Sequence, residues 1–593
     1  MKEKEMLWDL SQLVENTDPA WIQERLKSIV AEVEKFRGQY HGKVGCLSVK
    51  SLLEFLEMKD ELYLKFEGVL EYCHLTYAAN SLDSTAKQLS DASESAYMKL
   101  GQAVAFVDIE LGKLISETPS LIADPVLEEY KHFLERIARR APHVLSEIEE
   151  RLIIMKNKNG VNAWEKLQSD WLSTQTFDIK IDGEMRTLPY EKMRGLYRSH
   201  NRDLRKRAYQ IVHEGLGNFE IIWASALRAV CDDHLQVSKL RKYEDSMTQS
   251  LVDNDVDKQT IEGLMKAVEN NVNLYQRYLR LKAKLMGLSK LADFDLYAPL
   301  PHVPDMKYGW QKSREEIVAA YSDFDKEIGG WVDEMFAKRH IDGEIRKGKR
   351  SGAFCASWVA GKTAYILQSF NEKIGDMYTQ AHELGHAIHT YLGSRAQKLS
   401  NLQIGDCIAE TGSIFGELLL TEQLLVKAKT KKEKQVILAN ILDAFGLAVF
   451  RVSARVFFEQ DLYDAMTQGK FLDGKTIAKM WIAARERIFS DSVDWLDAMQ
   501  WEWTCTRHYF YANYRFYNYP YVYAQLFVFA LYKLYREQGA EFVPKLKKLL
   551  AAGSSKSPRD LAEELGLDIT NEAFWEKGMK QAEGFIDMLE ATL

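Results

Sequence analysis

Proline is scarce in this chain, 11 in 593 residues. Long helices can therefore run without the lost N–H and ring clash that proline imposes. Cysteine is scarcer still: six residues, at 46, 73, 231, 355, 407 and 505, with no Cys-x-x-Cys pair among them. That argues against a disulfide framework and against a cysteine-built zinc site. It points instead to a reducing compartment, hence to a cytoplasmic protein. A dominant charge sign is also missing. The net charge is −8 and the pI about 6.0, a balance that favours solubility and gives no footing for nucleic acid. The local basic runs Arg346-Lys347-Gly348-Lys349-Arg350 and Lys429-Thr430-Lys431-Lys432 read as solvated loops. No stretch of about 18 uninterrupted apolar residues occurs, so no membrane span is expected. The opening Met1-Lys2-Glu3-Lys4-Glu5 has no apolar run behind it, so no signal peptide is expected either. Internal repeats and low-complexity tracts are absent.

What the chain does have is length and helical periodicity. At 593 residues it exceeds what one core usually organises, so several domains or one two-lobed body are expected. Asp257 is placed to cap a helix whose stripe runs Ile261, Leu264, Met265, Val268, Val272, Tyr275 and Leu279, with Gly287 past its end. Similar stripes fill much of 50–155, 200–245 and 435–465 and read as core. Strand signals are few. Residues 176–181 alternate and meet Asp182-Gly183, a hairpin turn. A second hairpin is expected from 353–358, Ala360-Gly361-Lys362 and 364–367, just upstream of the motif below. A boundary near residue 190 divides the chain into an N-terminal helical lobe, 1–190, and a second lobe, 191–593.

The motif is His382-Glu383-Leu384-Gly385-His386. Its helix is expected to start at Asp376 as N-cap, to carry Met377, Ala381, Leu384, Ile388 and Tyr391 on its apolar face, and to end at Gly393. Histidines four apart lie one turn apart on one face, so both imidazoles can reach one zinc ion at about 2.0–2.1 Å. Glu383 is rotated about 100° from His382 and can hold a water without ligating the metal, as general base and then proton shuttle. A second helix over 408–420 puts Glu410 and Glu417 two turns apart on one face, among apolar neighbours where a bare carboxylate is costly. Two histidines and a glutamate leave the fourth position open, the pattern of a hydrolytic site. Glu410 is the nominee for third ligand and Glu417 for orienting a histidine; the plainer reading is that one or both meet solvent. His389, one turn past His386, reads as a packing histidine rather than a rival ligand.

At these residues the chain resembles the oligoendopeptidase F and thimet oligopeptidase family of zinc peptidases. The resemblance extends through 348–355 before the motif, 381–389 around it, and Ala409-Glu410-Thr411 with Ser413 and Glu417. Trp8-Asp9-Leu10, residues 295–300 and residues 516–521 resemble the oligoendopeptidase F branch. It implies a mainly α fold: a two-lobed helical ellipsoid with a deep central cleft and a small β-sheet next to the zinc helix. It implies one zinc ion on His382, His386 and Glu410, with Glu383 as base. The edge strand near 354–358 would pair with the backbone of short peptide substrates, which reads main chain more than side chain. From the aromatic segment 501–535 it implies that Tyr523, preceded by His508, donates to the oxyanion that forms at the scissile carbonyl. Tyr514 and Tyr517 are both open as a second donor. The expected activity is zinc-dependent hydrolysis of internal bonds in short oligopeptides, without nucleic-acid or membrane partners. The rivals are a catalytically silent peptide-binding protein and a metallocarboxypeptidase of similar helical fold.

Overall fold

The computed structural model describes residues 6–301 and 306–593; the opening Met1 to Glu5, and residues 302–305, lie outside the described residues. The chain is mostly helical, with small sheets of two, two and three strands among the described residues. It divides into two compact units, each built from three separated stretches. The first comprises 1–142, 305–427 and 531–568; the second comprises 143–304, 428–530 and 569–593. A single cut near residue 190 is therefore not where the chain divides. One passage between units, after residue 530, falls inside the helix Tyr519–Gln538, so no linker composition marks it.

In the first unit, the helices Pro19–Tyr40, Val49–Ala79 and Ser84–Val104 start where side chains take up orphan N–H groups. Asp18 accepts from Ala20, Ser48 from Ser51, and Asp83 from Thr85 and Ala86. Their apolar stripes close on a core that includes Phe36, Phe55, Phe66, Leu111 and Leu134. Further along, Phe354–Trp358 pairs antiparallel with Thr363–Leu367, which pairs on its other side with Ile341–Asp342. Phe354–Trp358 is thus an edge strand, and the central strand is buried throughout. The hairpin read from the sequence forms within a residue of its expected ends.

The basic run before this hairpin departs from its reading as solvated. Lys349 has a side chain 2% exposed and donates to the Asp342 carboxylate at 2.6 Å; Asp342 itself is 0% exposed. Arg346 grips the same carboxylate with both terminal nitrogens, at 2.8 and 2.7 Å. A buried carboxylate needs such partners, and the run supplies them. The second run behaves as read: Lys429 to Lys432 are exposed, and Thr430 caps the helix that follows.

The motif helix runs Ile374–Ala396, which corrects both expected ends. Asp376 is not the N-cap. It lies inside the first turn, and its carboxylate reaches back to accept the N–H of Asn371 and Lys373, at 2.7 and 3.0 Å. Gly393 continues the helix rather than ending it; a side chain there would meet Leu402 at 3.0 Å.

The second unit contains the first hairpin, Thr176–Ile181 with Glu184–Pro189, turned by Asp182 and Gly183 at φ +52° and +89°. Two positive φ values match the twist of the paired strands, which is why Asp-Gly sits there. The long stripe after Asp257 is broken at Asn271 into Lys258–Asn270 and Val272–Leu285, with Asp257 capping as expected. A core gathers around Tyr209, Met193, Leu216 and Met499. The continuous helix 431–467 is long and apolar enough by composition to cross a membrane, but 67% of that apolar window is already buried inside the molecule. That is the behaviour of a core helix.

Candidate metal centre

The site is built where two helices of the first unit cross, and glycines set how closely. A Cβ on Gly385 would stand 2.2 Å from the backbone oxygen of Gly412, and one on Gly412 2.3 Å from that of Gly385. Backbone meets backbone here, which only glycine allows. The motif helix is seated on this crossing by Met377, Ala381, Leu384 and Ile388, all 3% exposed or less. Tyr321 adds a hydroxyl donated to the Ala381 oxygen at 2.8 Å.

The second helix is not continuous across the site. A short helix, Asp406–Ala409, ends at Glu410, which has φ −84° and ψ 5°, and a new helix runs Thr411–Lys427. Glu410 therefore occupies a joint, and its side chain is free to turn toward the histidines. Its Oε2 stands 3.3 Å from His382 Nε2 and 3.4 Å from His386 Nε2. Ser413 donates its hydroxyl to the same oxygen at 2.6 Å. Two turns along, Glu417 Oε1 takes the Nδ1–H of His382 at 2.6 Å. The face shared by Glu410 and Glu417 is thus turned on the histidines, although both side chains remain partly open to solvent.

The electrostatics follow from this packing. Burial alone would lower His382, but the bond and charge of Glu417, with Glu410 and Glu383, raise it to about 9. Burial alone would raise Glu410, yet His386, His382 and Ser413 bring it down to about 2. Glu383, 7% exposed, is shifted the other way: burial holds its carboxyl above the usual range against the pull of His382 and His386. It faces a cavity of about 440 Å³ that it shares with His386, His389, Cys355 and Phe354. His389 is buried, and burial lowers it to about 4, in keeping with its reading as a packing histidine.

The three donor atoms fit a metal ion. One nitrogen from each histidine and one oxygen from Glu410 lie within 4.8 Å of one another. Two ligands about 2.0–2.1 Å from one ion at the tetrahedral angle stand roughly 3.3–3.4 Å apart, the separations seen between Glu410 and each imidazole. Nδ1 of His382, turned away toward Glu417, leaves Nε2 as the free donor, the tautomer a metal requires.

The other residues singled out from the sequence belong to the second unit. His508 lies in a short helix, Arg507–Tyr509, ringed by Tyr511, Tyr517 and Tyr521 at centroid distances of 5.6, 5.5 and 5.9 Å. Burial, with Arg455 and Arg515 nearby, lowers it to about 4, so it is neutral. Tyr523 is 0% exposed, its ring against Trp575 at 4.9 Å and Phe527 at 5.5 Å. Tyr514 is 59% exposed. Sequence reasoning missed Ser413 as a partner of Glu410, Cys355 as a cavity wall, and the Gly385–Gly412 contact. The signal for the last was available: a glycine inside a helical pattern usually has a packing reason.

Comparison with known proteins gives the family and the fold. The profile of peptidase family M3 matches residues 196–581, and that of the oligopeptidase F N-terminal region matches 118–177. An oligoendopeptidase F homologue of Lactococcus lactis is 27% identical over 604 residues, covering 99% of this chain and 97% of that protein. The group B oligopeptidase PepB of Streptococcus agalactiae is 28% identical over 580 residues, covering 96% and 94%. Among solved structures, a Chlamydophila abortus chain described as a peptidase superposes with a TM-score of 0.88 at 21% identity, over 99% of this chain and 98% of that one. Oligoendopeptidase-F from Enterococcus faecium gives 0.69 at 21%, over 96% and 98%. With its fold shared with these structures and the family profile spanning both helices of the metal centre, this chain belongs to peptidase family M3.

Proposed function

We propose that this member of family M3 is a zinc-dependent endopeptidase that hydrolyses internal bonds of short, unstructured oligopeptides. The observation that carries the reading is the convergence of His382, His386 and Glu410 beside a buried Glu383. Zinc held there would supply Lewis-acid polarisation of the scissile carbonyl and acidify a water. Glu383 takes the proton from the attacking water and delivers it to the departing amine nitrogen. Its raised pKa suits both halves of that transfer. Glu417 fixes the ring and tautomer of His382. The edge strand Phe354–Trp358 offers main-chain groups to an extended peptide, so recognition reads backbone before side chains.

His508 and Tyr523 are the proposed donors to the developing oxyanion. Their support is the resemblance of the segment that carries them. Tyr523, enclosed by Trp575 and Phe527, reaches a substrate only when that packing opens. Tyr523→Phe is expected to fold normally and lose about 10²–10³ in kcat. Unchanged kcat would assign Tyr523 to the core alone.

The primary test is hydrolysis of an internally quenched peptide of about eight residues, blocked at both ends, with and without a chelator. Internal cleavage that the chelator stops is the expected result. A requirement for a free C-terminus would turn the assignment to a carboxypeptidase. Binding without cleavage across a diverse peptide library would leave a silent peptide-binding protein.

A further inference from the structure

A second polar pocket lies wholly within the second unit, apart from the cluster of His382, His386 and Glu410; His508, the proposed oxyanion donor, forms part of its wall. Its volume is about 190 Å³. Four arginines line it, Arg194, Arg451, Arg455 and Arg507, against one carboxylate, Glu502. That carboxylate is already committed twice. Arg451 donates to Glu502 Oε1 at 2.7 Å, and Arg485 forms a tight ion pair with Oε2. Arg451 and Arg485 have side chains 2% and 1% exposed, so two buried guanidinium groups share a single negative charge.

The nearby acid Asp293 does not make up the difference. Its oxygens accept the N–H of Phe294 and Leu496, and burial raises it to about 7. A buried charge without a counter-charge is costly, so the cluster as it stands is one anion short.

The walls are supplied with unused donors. Nε of Arg451 and Arg455 has no hydrogen-bond partner, and neither has the hydroxyl of Tyr197, a residue 7% exposed on the pocket wall. Burial lowers the pKa of His213, disfavouring its charged form. The backbone is also adapted here. Residues Gly446–Arg451 are π-helical, a widening often found at functional sites, and Arg451 and Arg455 follow at its end on successive turns. Gly446 admits the ring of Tyr275 where a Cβ would stand 2.3 Å from it. Arginine forks match the two oxygens of a carboxylate or phosphate, which suits a pocket of this size to one such group.

We propose that this pocket binds a single oxyanion, a carboxylate or phosphate group, through Arg451, Arg455 and the Tyr197 hydroxyl. The ligand is either a free inorganic anion or the C-terminal carboxylate of a bound peptide; the chemistry is the same. The proposal goes beyond the peptidase reading, and its first test needs no turnover.

Inorganic phosphate is titrated into the full-length, metal-loaded protein at constant ionic strength, with binding read by calorimetry and by Tm. The expected result is one saturable site. Arg455→Gln and Tyr197→Phe should each weaken it at least tenfold while leaving the Tm without phosphate nearly unchanged. Arg451 is left intact because breaking its buried ion pair would confuse binding with folding. The second arm measures binding of one peptide as free acid and as C-terminal amide to a Glu383→Gln background. If the acid displaces phosphate and binds at least tenfold tighter than the amide, and Arg455→Gln removes that difference, the pocket holds a peptide C-terminus. If phosphate binds but acid and amide bind alike, the pocket holds a free anion. No saturable phosphate binding together with equal affinity for acid and amide overturns the proposal. So does phosphate binding that both variants leave untouched. Loss of peptide hydrolysis alone would count against the peptidase reading, not against this site.

Discussion

At the scale of single residues, the proposed metal centre separates groups placed to hold an ion from the group proposed to react. His382, His386 and Glu410 present three donor atoms within 4.8 Å, whereas Glu383 faces the adjoining cavity. Glu383→Gln is therefore expected to abolish turnover almost completely while the protein still binds one equivalent of zinc. Turnover assays beside metal analysis of the dialysed variant check this, and retained activity would remove Glu383 as base. Glu417 acts at one remove, through the Nδ1–H of His382. Glu417→Gln is expected to weaken zinc affinity by about 10–100-fold, the usual cost of losing such a partner. Competition with a chromogenic chelator reads that affinity. Rescue of activity by added zinc would mark Glu417 as a positioning residue.

Elements decide how near those residues come. The crossing of the motif helix and Thr411–Lys427 depends on Gly385 against Gly412. Gly385→Ala drives a methyl into backbone that cannot yield, so a loss of at least about 1–3 kcal/mol is expected, with weaker metal binding because Glu410 is pushed from the imidazoles. The midpoint of urea unfolding and zinc stoichiometry, measured together, test both halves. The segment before the hairpin is secured differently, by Lys349 and Arg346 on the buried carboxylate of Asp342. Lys349→Met leaves the Asp342 carboxylate one partner short. The expected cost is about 3–5 kcal/mol, nearer the lower figure because Arg346 remains.

For the molecule as a whole, stability should carry a pH signature from Glu67. This carboxylate accepts the N–H of Val359 and Ala360 at the hairpin turn, at 2.8 and 2.7 Å. Burial nevertheless raises it from 4.5 to about 7. The folded protein thus holds the proton more tightly than the unfolded chain. That contribution is complete below pH 4.5 and is lost as pH rises through 7. Carboxylates with lowered pKa, such as Glu502, push the other way as acid is added. The comparison that isolates Glu67 is wild type against Glu67→Gln: the variant should lose less stability between pH 5 and 7. A metal held at the proposed centre would also stabilise globally, by binding only the folded state. Chelation should lower Tm and stop activity while the helical circular dichroism persists, since the motif helix is seated by apolar side chains rather than by the ion.

Much of this is legible in the sequence, and the reason is locality. A four-residue spacing puts His382 and His386 on one helical face wherever that helix lies, and Asp182-Gly183 turns a hairpin wherever its strands lie. Helical content, the strand pair before the motif and the acid-bearing second helix all follow from short-range periodicity. Only the tertiary structure decided the rest. It broke the second helix at Glu410, turned Lys349 and Arg346 inward onto Asp342, moved Asp376 from cap to first turn, and enclosed Tyr523 behind Trp575. It also returned the chain to each unit from three separate stretches, which no composition shift announces. These outcomes depend on which distant groups meet, and on the cost of burying a charge or a backbone group without its partner. The sequence by itself determined which side chains carry donor and acid groups on one helical face; the packing decided which of them stand together.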